Sequence, residues 1–365
     1  MSPLIVALIA GGVTLALSLT LPLAVKPLLV RLGIMDVPNA RSSHERPVLR
    51  GLGLAVLLAM ALGTGIALIL FARPGWGGHA VWDALLVIGV GSLLAGLLGL
   101  TEDLRGLSVP VRSAALLLIA AGSAIGVLVA ADGETGLGHG PGLSGLAGTG
   151  LEGLSLPLWG SALLVAYAVL FISSYINVAN FMDGLNGISG FHGVIAGLTF
   201  AACGAFVDMP WLLAAGLILA AGFAGFLPWN LTKPGAFLGD VGSYLLGGAT
   251  ALTSFAALVA GAPLLATIGP MVIYFGDVGV TLAKRVRAGK RWDEPHKEHT
   301  YQRIQQLGYS HVQASGITAA CTLAASLLGL ASFFTGLWGT LFLLAGGLAV
   351  LVVYLALPKL LPHRA

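Results

Sequence analysis

Charged side chains are scarce in this sequence, since they make up only 9% of its 365 residues, against roughly 25% in typical soluble domains. So few charges cannot cover a water-exposed surface, which excludes an ordinary soluble globular protein. The two cysteines, Cys203 and Cys321, lie inside apolar runs, form no metal-ligand spacing and give no redox signal. Hydrophobic residues are abundant instead, at 57% with a mean hydropathy of +0.95. These values exclude disorder and predict an integral membrane protein.

Eleven apolar runs are long enough to cross a hydrocarbon core about 30 Å thick, which takes roughly 20 helical residues. The sequence therefore predicts an all-α membrane protein of about eleven transmembrane helices, forming a single polytopic domain over residues 1–365. The first run lacks a preceding basic segment and continues into Lys26 and Arg31, so we expect a retained span and not a cleaved signal peptide. The predicted spans are 3–25, 51–72, 83–100, 113–131, 157–176, 188–207, 211–229, 243–260, 262–283, 313–334 and 337–357.

The positions of Lys and Arg predict which loops face the cytoplasm. With an outside N-terminus, the inside segments hold 17 of the 18 basic residues, and the outside loops hold only Arg73. This asymmetry predicts an outside N-terminus and a cytoplasmic C-terminus, and it explains the net charge of +3 without nucleic-acid binding. The candidate active site lies in five inside loops, at 33–53, 101–112, 177–187, 230–243 and 284–312.

An acidic pair, Glu102 and Asp103, follows the third predicted span. Adjacent carboxylates at this depth could be solvated at the membrane interface. They could also supply hard oxygen ligands for Mg²⁺ or act as a general base. Charged groups within the membrane boundary are commonly functional, so the pair is a candidate site.

Polar residues recur every three positions in the next inside loop, at Asn177, Asn180 and Asp183. On a helix these side chains share one face, which could cap the helix or line a polar cleft. Gly184 and Gly187 would let a ligand approach the backbone at this point.

Asp240 lies in a glycine-flanked turn where the eighth predicted span begins, and Ser243 is a candidate cap for that helix. Capping alone would explain these residues. However, the free N–H groups of a helix N-terminus attract phosphate, and a neighbouring carboxylate can hold the accompanying Mg²⁺. Together these features indicate a site for a magnesium diphosphate.

The last inside loop places His296, His299 and Arg303 on one face of a short predicted helix that Pro295 would begin. Two histidines could form part of a zinc site, but no third ligand stands at a useful spacing. Anion binding fits the basic surroundings better. Asp277 lies deeper in the preceding span, where a functional carboxylate and a structural bond to another helix are both open.

Five motifs, in order between about residues 30 and 312, resemble those of the polyprenyl-phosphate N-acetylhexosamine-1-phosphate transferases. This family is related to the phospho-N-acetylmuramoyl-pentapeptide translocase. The first motif, Asp36-x-Pro-Asn39-x-Arg41-Ser-x-His44, looks like that of the branch that begins O-antigen and related glycans. The other four are Glu102-Asp103, Asn177-x-x-Asn180-Phe-Met-Asp183-Gly184, the triplet Asn230, Phe237 and Asp240, and His296-x-x-His299-x-Tyr-Gln-Arg303.

The match departs from the family at two points. Glu102 replaces the first of two paired aspartates, which changes the reach of that carboxylate by one methylene. The last motif has His-x-x-His where the translocase has consecutive histidines, which argues against a muramoyl-pentapeptide substrate.

The resemblance implies transfer of an N-acetylhexosamine 1-phosphate from a UDP-sugar to undecaprenyl phosphate, with release of UMP. This reaction would start a lipid-linked cell-envelope glycan such as the O-antigen of lipopolysaccharide. The resemblance implies a Mg²⁺ cofactor, or Mn²⁺ in its place, with Asp240 and Asp103 as ligands, and catalytic roles for Glu102, Asp103 and Asp240. It implies substrate-binding roles for Arg41, His44, Asn177, Asn180, Asp183, Gly184, Asn186, Asn230, Phe237, His296, His299 and Arg303.

The expected location is the bacterial inner membrane, with the site facing the cytoplasm. The particular hexosamine, a direct or a covalent mechanism, and a homodimer are left open. A CDP-alcohol phosphatidyltransferase is excluded because the residues after Asp183-Gly184 do not continue its aspartate motif. A transporter is the remaining alternative, but it predicts polar residues at mid-membrane, where only Asp277 lies somewhat deep.

Overall fold

Apolar helices of membrane-spanning length dominate the computed structural model, which describes residues 1–36, 48–72, 78–132, 158–232, 235–291 and 296–364. Within these ranges, eleven helical segments are long and apolar enough to cross a membrane, so the prediction of an all-α protein with about eleven spans is confirmed. The helices are α1 (Pro3–Thr20), α2 (Pro22–Arg31), α3 (Gly53–Phe71), α4 (Gly78–Arg105), α5 (Val109–Asp132), α6 (Leu158–Met182), α7 (Ile188–Phe206), α8 (Pro210–Leu231), α9 (Gly239–Val259), α10 (Leu264–Ile268), α11 (Val272–Arg287), α12 (Thr300–Gln306), α13 (His311–Ala331) and α14 (Leu337–Leu360).

Proline shapes two of the spans. The first span ends at Thr20, five residues earlier than predicted, and Pro22 begins the separate helix α2. Proline is favoured at a first helical position because its missing N–H would have no helical partner there. The ninth span joins α10 to α11 through a 3₁₀ turn over Gly269–Met271 that contains Pro270.

Helix α9 is the central helix of the bundle, with nearly every residue of its span buried by neighbouring helices. Small residues permit this close packing. A Cβ atom at Gly247 would lie 2.5 Å from the Cα atom of Ile176 in α6, and one at Gly248 would lie 2.9 Å from the Cβ of Ala95 in α4. In a membrane, where lipid removes most of the hydrophobic driving force, such packing holds helices together.

Helix α14 lies at the edge of the bundle. Among its residues, which the structure describes throughout, only Tyr354 is buried. Large apolar side chains such as Trp338 and Phe342 are exposed on its surface, as expected where a helix faces lipid.

The described parts of the five candidate loops meet at one end of the bundle. A two-stranded antiparallel pair, β1 (Met35–Asp36) and β2 (Val48–Leu49), precedes α3. Leu49 also forms a parallel bridge with Ala236, just before α9. This bridge brings the start of α3 next to the start of α9. Hydrogen bonds that join Asp240 to Asp103 and Asn180 bring the ends of α4 and α6 to the same place.

Candidate active site

Two carboxylates and one guanidinium form the centre of this end of the bundle. The Nε atom of Arg50 lies 2.9 Å from Oδ1 of Asp103, and its Nη2 atom lies 2.8 Å from Oδ2 of Asp240. Asp103 comes from the end of α4, Asp240 from the first turn of α9, and Arg50 from the segment before α3. Three distant parts of the sequence thus supply one ionic cluster.

Backbone hydrogen bonds place Arg50 above the start of α9. Phe237 N–H donates to the Leu49 carbonyl at 2.8 Å, and Leu52 N–H donates to the Phe237 carbonyl at 3.1 Å. Gly53 N–H donates to the Leu238 carbonyl at 2.8 Å, and a Cβ atom at Gly53 would lie 2.5 Å from the Cα atom of Gly242. The segment around Arg50 is therefore held directly against the residues that lead into Asp240.

Asp103 caps helix α9 from a neighbouring helix. Its carboxylate accepts the N–H of Asp240 at 3.1 Å and the N–H of Val241 at 2.9 Å. The first N–H groups of a helix have no partner within the helix, and a carboxylate also suits the positive end of the helix dipole. The predicted cap, Ser243, does not serve this role, because its hydroxyl donates to the Asp240 carbonyl at 3.4 Å.

Asn180 completes the centre from helix α6, which continues to Met182 and not to 176 as predicted. Its Nδ2 atom donates to Oδ1 of Asp240 at 2.8 Å and to the Ser243 hydroxyl at 3.0 Å. Both oxygens of Asp240 are thereby oriented by donors, from Asn180 on one side and Arg50 on the other. The Asp240 side chain remains 20% exposed, whereas that of Asp103 is 1% exposed.

Glu102 points away from this centre. Its Oε2 atom accepts the N–H of Leu107 at 3.0 Å, and its Oε1 atom lies 3.3 Å from Nη1 of Arg112. The carboxylate thus braces the short turn between α4 and α5. The structure does not bring Glu102 to Asp240.

Asp183 lies just beyond the end of α6 and accepts a 2.6 Å hydrogen bond from the Ser189 hydroxyl. Removal from water, reinforced by the charge of Asp240, raises the pKa of Asp183 to about 7. The adjacent Gly184 is required by close packing, because a Cβ atom there would overlap the Tyr301 hydroxyl. That hydroxyl donates to the Phe181 carbonyl at 3.0 Å, which joins the third candidate loop to the last one.

Asn186 and Asn230 hold loops together through their own amides. Asn230 accepts the N–H of Gly187 and donates to the Ala236 carbonyl at 3.0 Å. Asn186 donates to the Asn230 carbonyl at 2.6 Å, and its Oδ1 atom lies 3.1 Å from Nδ1 of His311. Gly187 has a φ of 90°, a conformation that favours glycine.

The last candidate loop differs from the prediction of a single helical face. Helix α12 begins only at Thr300, so His296 and His299 precede it, and only Arg303 is helical. His299 is extended because the buried carboxylate of Asp277 accepts the N–H of Thr300 at 3.0 and 3.1 Å and lies 3.3 Å from Nδ1 of His299. The structural alternative for Asp277 is thus observed.

Burial, reinforced by the neighbouring His299 and Arg285, lowers the pKa of His296 to about 4. Its ring is neutral at pH 7 and accepts the N–H of Glu298 through Nδ1 at 3.3 Å. The other ring nitrogen therefore carries the proton and is a neutral donor, so an anion at this loop would meet a hydrogen bond from His296 and not a full charge.

Several predicted residues lie elsewhere or outside the described residues. Arg41 and His44 lie outside them. Asn177 lies on α6 and donates to the Ser173 carbonyl of its own helix at 2.9 Å. Phe237 is partly buried in the segment that leads into α9. Sequence reasoning missed Arg50, although its basic charge in an inside loop directly before Gly51-Leu52-Gly53 was an available signal.

Asp103 and Asp240 fit a magnesium ion because they supply two neighbouring carboxylates. Mg²⁺ is commonly bound by one or two carboxylates together with waters and substrate phosphates, and Asp103 and Asp240 are near enough to share one guanidinium. Among the described residues, no group of three or more His, Cys, Asp or Glu side chains could hold a metal. Asp103 and Asp240 therefore suit an ion whose remaining ligands come from water and substrate, and not a structural site in which the protein supplies every ligand.

Fold and site together define a class: a polytopic helical membrane protein with a charged polar centre of two carboxylates and a guanidinium at one end of its bundle. Residues 85–258 match the family described as glycosyl transferase family 4. This match and the relatives below bear out the resemblance that the motifs indicated.

Relatives align with most of the chain. Decaprenyl-phosphate N-acetylglucosaminephosphotransferase of Mycolicibacterium smegmatis is 28% identical over 80% of this chain and 73% of its own. A Bacillus subtilis protein named "Probable undecaprenyl-phosphate N-acetylglucosaminyl 1-phosphate transferase" is 25% identical over 79% and 74%. Phospho-N-acetylmuramoyl-pentapeptide-transferase of Desulforudis audaxviator is 29% identical over 66% and 73%.

Proposed function

We propose that this protein transfers an N-acetylhexosamine 1-phosphate from its UDP-sugar to undecaprenyl phosphate, releasing UMP, at the cytoplasmic face of a bacterial inner membrane. The observation that carries the proposal is the convergence of Asp240, Asp103, Asn180 and Arg50 at one end of the bundle. The names of the relatives support a polyprenyl-phosphate acceptor and an N-acetylglucosamine donor. The 17-to-1 distribution of basic residues supports the cytoplasmic orientation.

The proposed reaction forms one P–O bond and breaks another. An oxygen of the lipid phosphate attacks the β-phosphorus of the UDP-sugar, and the bond from that phosphorus to the bridging oxygen breaks to release UMP. The second proton of a phosphate monoester has a pKa of about 6, so the acceptor is mostly ionised at cytosolic pH and needs no strong base. The protein chiefly has to position two anions and offset their charge.

The residues divide this work by their positions. Asp240 is the partly exposed carboxylate and is held in place by Asn180. Asp103 caps the first turn of α9 and is joined to Asp240 through Arg50. A Mg²⁺ or Mn²⁺ ion held by these two carboxylates would offset charge on the diphosphate and on the departing UMP. Glu102 has a structural role, because it braces the α4–α5 turn through Leu107 and Arg112.

The remaining polar loops are assigned to substrate. Asp183 and the backbone at Gly184 lie beside Asn180 and would contact the nucleotide, with Phe237 near uracil. His299, His296 and Arg303 would contact the diphosphate or the sugar. The ion pairs found among the described residues do not include Arg303, so its charge is available to an anion. We further propose, from the first-loop motif around Asp36 to His44, that the product starts a glycan such as O-antigen.

Release of UMP tests the proposal directly. Purified protein is supplied with Mg²⁺, undecaprenyl phosphate and UDP-N-acetylglucosamine, with other UDP-N-acetylhexosamines in parallel. We expect lipid-dependent UMP release, which chelation of the metal abolishes, and a loss of at least about 100-fold in Asp240→Asn.

The matched control is Asp208→Asn, the same change at the opposite end of the bundle. Asp208 has a φ of 52°, which asparagine tolerates, so we expect normal activity. Folded protein that releases no UMP with any UDP-N-acetylhexosamine would refute the transferase and favour the transporter.

A further inference from the structure

Arg50 joins the two carboxylates that the proposed metal would share. Its fork donates from Nε to Asp103 at 2.9 Å and from Nη2 to Asp240 at 2.8 Å, and its side chain is 37% exposed. Two like charges held this close repel unless a cation separates them. The guanidinium supplies that cation from within the chain.

The two ends of this bridge are not equivalent. Asp103 is buried, and its oxygens also accept the N–H groups of Asp240 and Val241. Asp240 is partly exposed, and its Oδ2 atom is the one that Arg50 contacts, while Oδ1 is held by Asn180. A cation that binds Asp240 at Oδ2 therefore competes with Nη2 of Arg50.

The backbone keeps Arg50 in reach of the site whichever oxygen it contacts. Gly51, directly after it, has a φ of 86°, and a Cβ atom at Gly239 would lie 2.8 Å from the Gly51 Cα atom. The bonds from Leu52 and Gly53 to the strand-like segment before α9 fix the next residues. An exchange of partners at Asp240 would therefore need a change in the Arg50 side chain alone, with its bond to Asp103 kept.

We propose that Arg50 is a resident counter-cation that yields Asp240 to the divalent ion and then contacts a substrate phosphate oxygen. The proposal rests on the proposed function for its metal and its diphosphate. A guanidinium suits both states, because its fork binds carboxylate and phosphate oxygens with the same geometry. In the free protein it offsets the repulsion between Asp103 and Asp240, and in the loaded site it offsets phosphate charge.

A purely structural ion pair predicts a different response to mutation. If Arg50 only ties α3 to α9, its removal lowers the melting temperature and leaves metal affinity unchanged or weaker. If it competes with the metal, its removal strengthens metal binding, because a positive charge next to the ion is lost. The sign of the change in metal affinity therefore separates the two roles without any measurement of activity.

The test is a Mn²⁺ titration of the purified full-length protein in detergent, followed by the electron paramagnetic resonance signal of free Mn²⁺. We expect Arg50→Met to bind Mn²⁺ at least about tenfold more tightly than wild type, and Arg50→Lys, which keeps the charge, to bind like wild type. UMP release by Arg50→Met should stay at least about tenfold below wild type at saturating Mn²⁺. Arg50→Gln is a second neutral variant if the methionine variant is not recovered folded.

The outcomes separate this inference from the proposed function. Equal or weaker Mn²⁺ binding by a folded neutral variant overturns the role of Arg50, while binding by wild type that Asp240→Asn loses still supports the metal site. Absence of Mn²⁺ binding in wild type and in the neutral variants, with and without UDP, overturns the metal site and the inference together. Tighter binding with undiminished UMP release refutes the contact with phosphate.

Discussion

Removal of the Asp277 carboxylate should detach the last candidate loop from the bundle. This carboxylate is fully buried and accepts from the Thr300 N–H at 3.0 and 3.1 Å, and from the Tyr354 hydroxyl at 2.8 Å. Oδ1 also lies 3.3 Å from Nδ1 of His299 and accepts from the Thr281 hydroxyl at 3.2 Å. Three elements, α11, the start of α12 and α14, therefore meet at one side chain.

The magnitude follows from the donors that would be left without an acceptor. A buried donor without a partner costs about 1–3 kcal/mol, and hydrogen bonds to a charged group contribute about 1.5–3 kcal/mol each. Asp277→Ala leaves at least the Thr300 N–H and the Tyr354 hydroxyl without an acceptor, so we expect the free energy of unfolding to fall by about 3–5 kcal/mol. Asp277→Asn keeps one oxygen but turns an NH₂ group toward other donors, so the free energy of unfolding should fall by nearly as much.

The matched control is Tyr354→Phe, which removes one donor to the same carboxylate and leaves the loop contacts in place. It should lower the free energy of unfolding by about 1.5–3 kcal/mol and retain most UMP release. Asp277→Ala should lower the melting temperature further and reduce UMP release at least about tenfold. Hydrogen exchange at residues 296–306 provides an independent readout, with faster exchange expected only in the Asp277 variants. Normal exchange and normal activity in folded Asp277→Ala would refute this account of the loop.

Two further predictions concern packing and protonation. Gly53→Ala should destabilise the protein and reduce activity, because its Cβ atom would meet the backbone of Gly242 at 2.5 Å, whereas Gly65→Ala, with nothing within 4 Å, should be neutral by thermal melting. Burial raises the Asp183 pKa from 3.8 to about 7, so the folded protein holds the carboxyl proton of Asp183 more tightly than the unfolded chain does. The stability gained from the protonated carboxyl is therefore lost as the pH rises from about 4 to 7. Asp183→Asn should therefore melt higher than wild type at pH 8, with a gain that shrinks toward pH 4, and a gain independent of pH would contradict the shifted pKa.

The membrane spans could be predicted because each depends on local composition alone. A helix that crosses lipid satisfies its own backbone, so an apolar run of sufficient length identifies it without knowledge of its neighbours. The errors fall at the ends, where other segments decide. Helix α9 starts at Gly239 and not at 243, because the carboxylate of Asp103, from 137 residues earlier in the chain, receives the first N–H groups.

The site was predictable in its residue types and less so in its contacts. Asp103, Asn180 and Asp240 were singled out from the sequence, and the structure brings them together. The helical face predicted for His296, His299 and Arg303 is wrong. The spacing of those residues cannot reveal that Asp277 holds the Thr300 N–H and keeps His299 extended.

The acidic pair shows how one position can tolerate a longer side chain while its neighbour does not. Glu102 contacts the α4–α5 turn and the partly exposed Arg112, where an added methylene changes only the reach to a surface loop. Asp103 fits between α4 and α9, where the Gly99 position is already too close to the Asp240 carbonyl for a side chain. One more methylene at Asp103 would displace its oxygens from the N–H groups of Asp240 and Val241 that they accept. The departure from the family's paired aspartates therefore falls at the position where the geometry can absorb it.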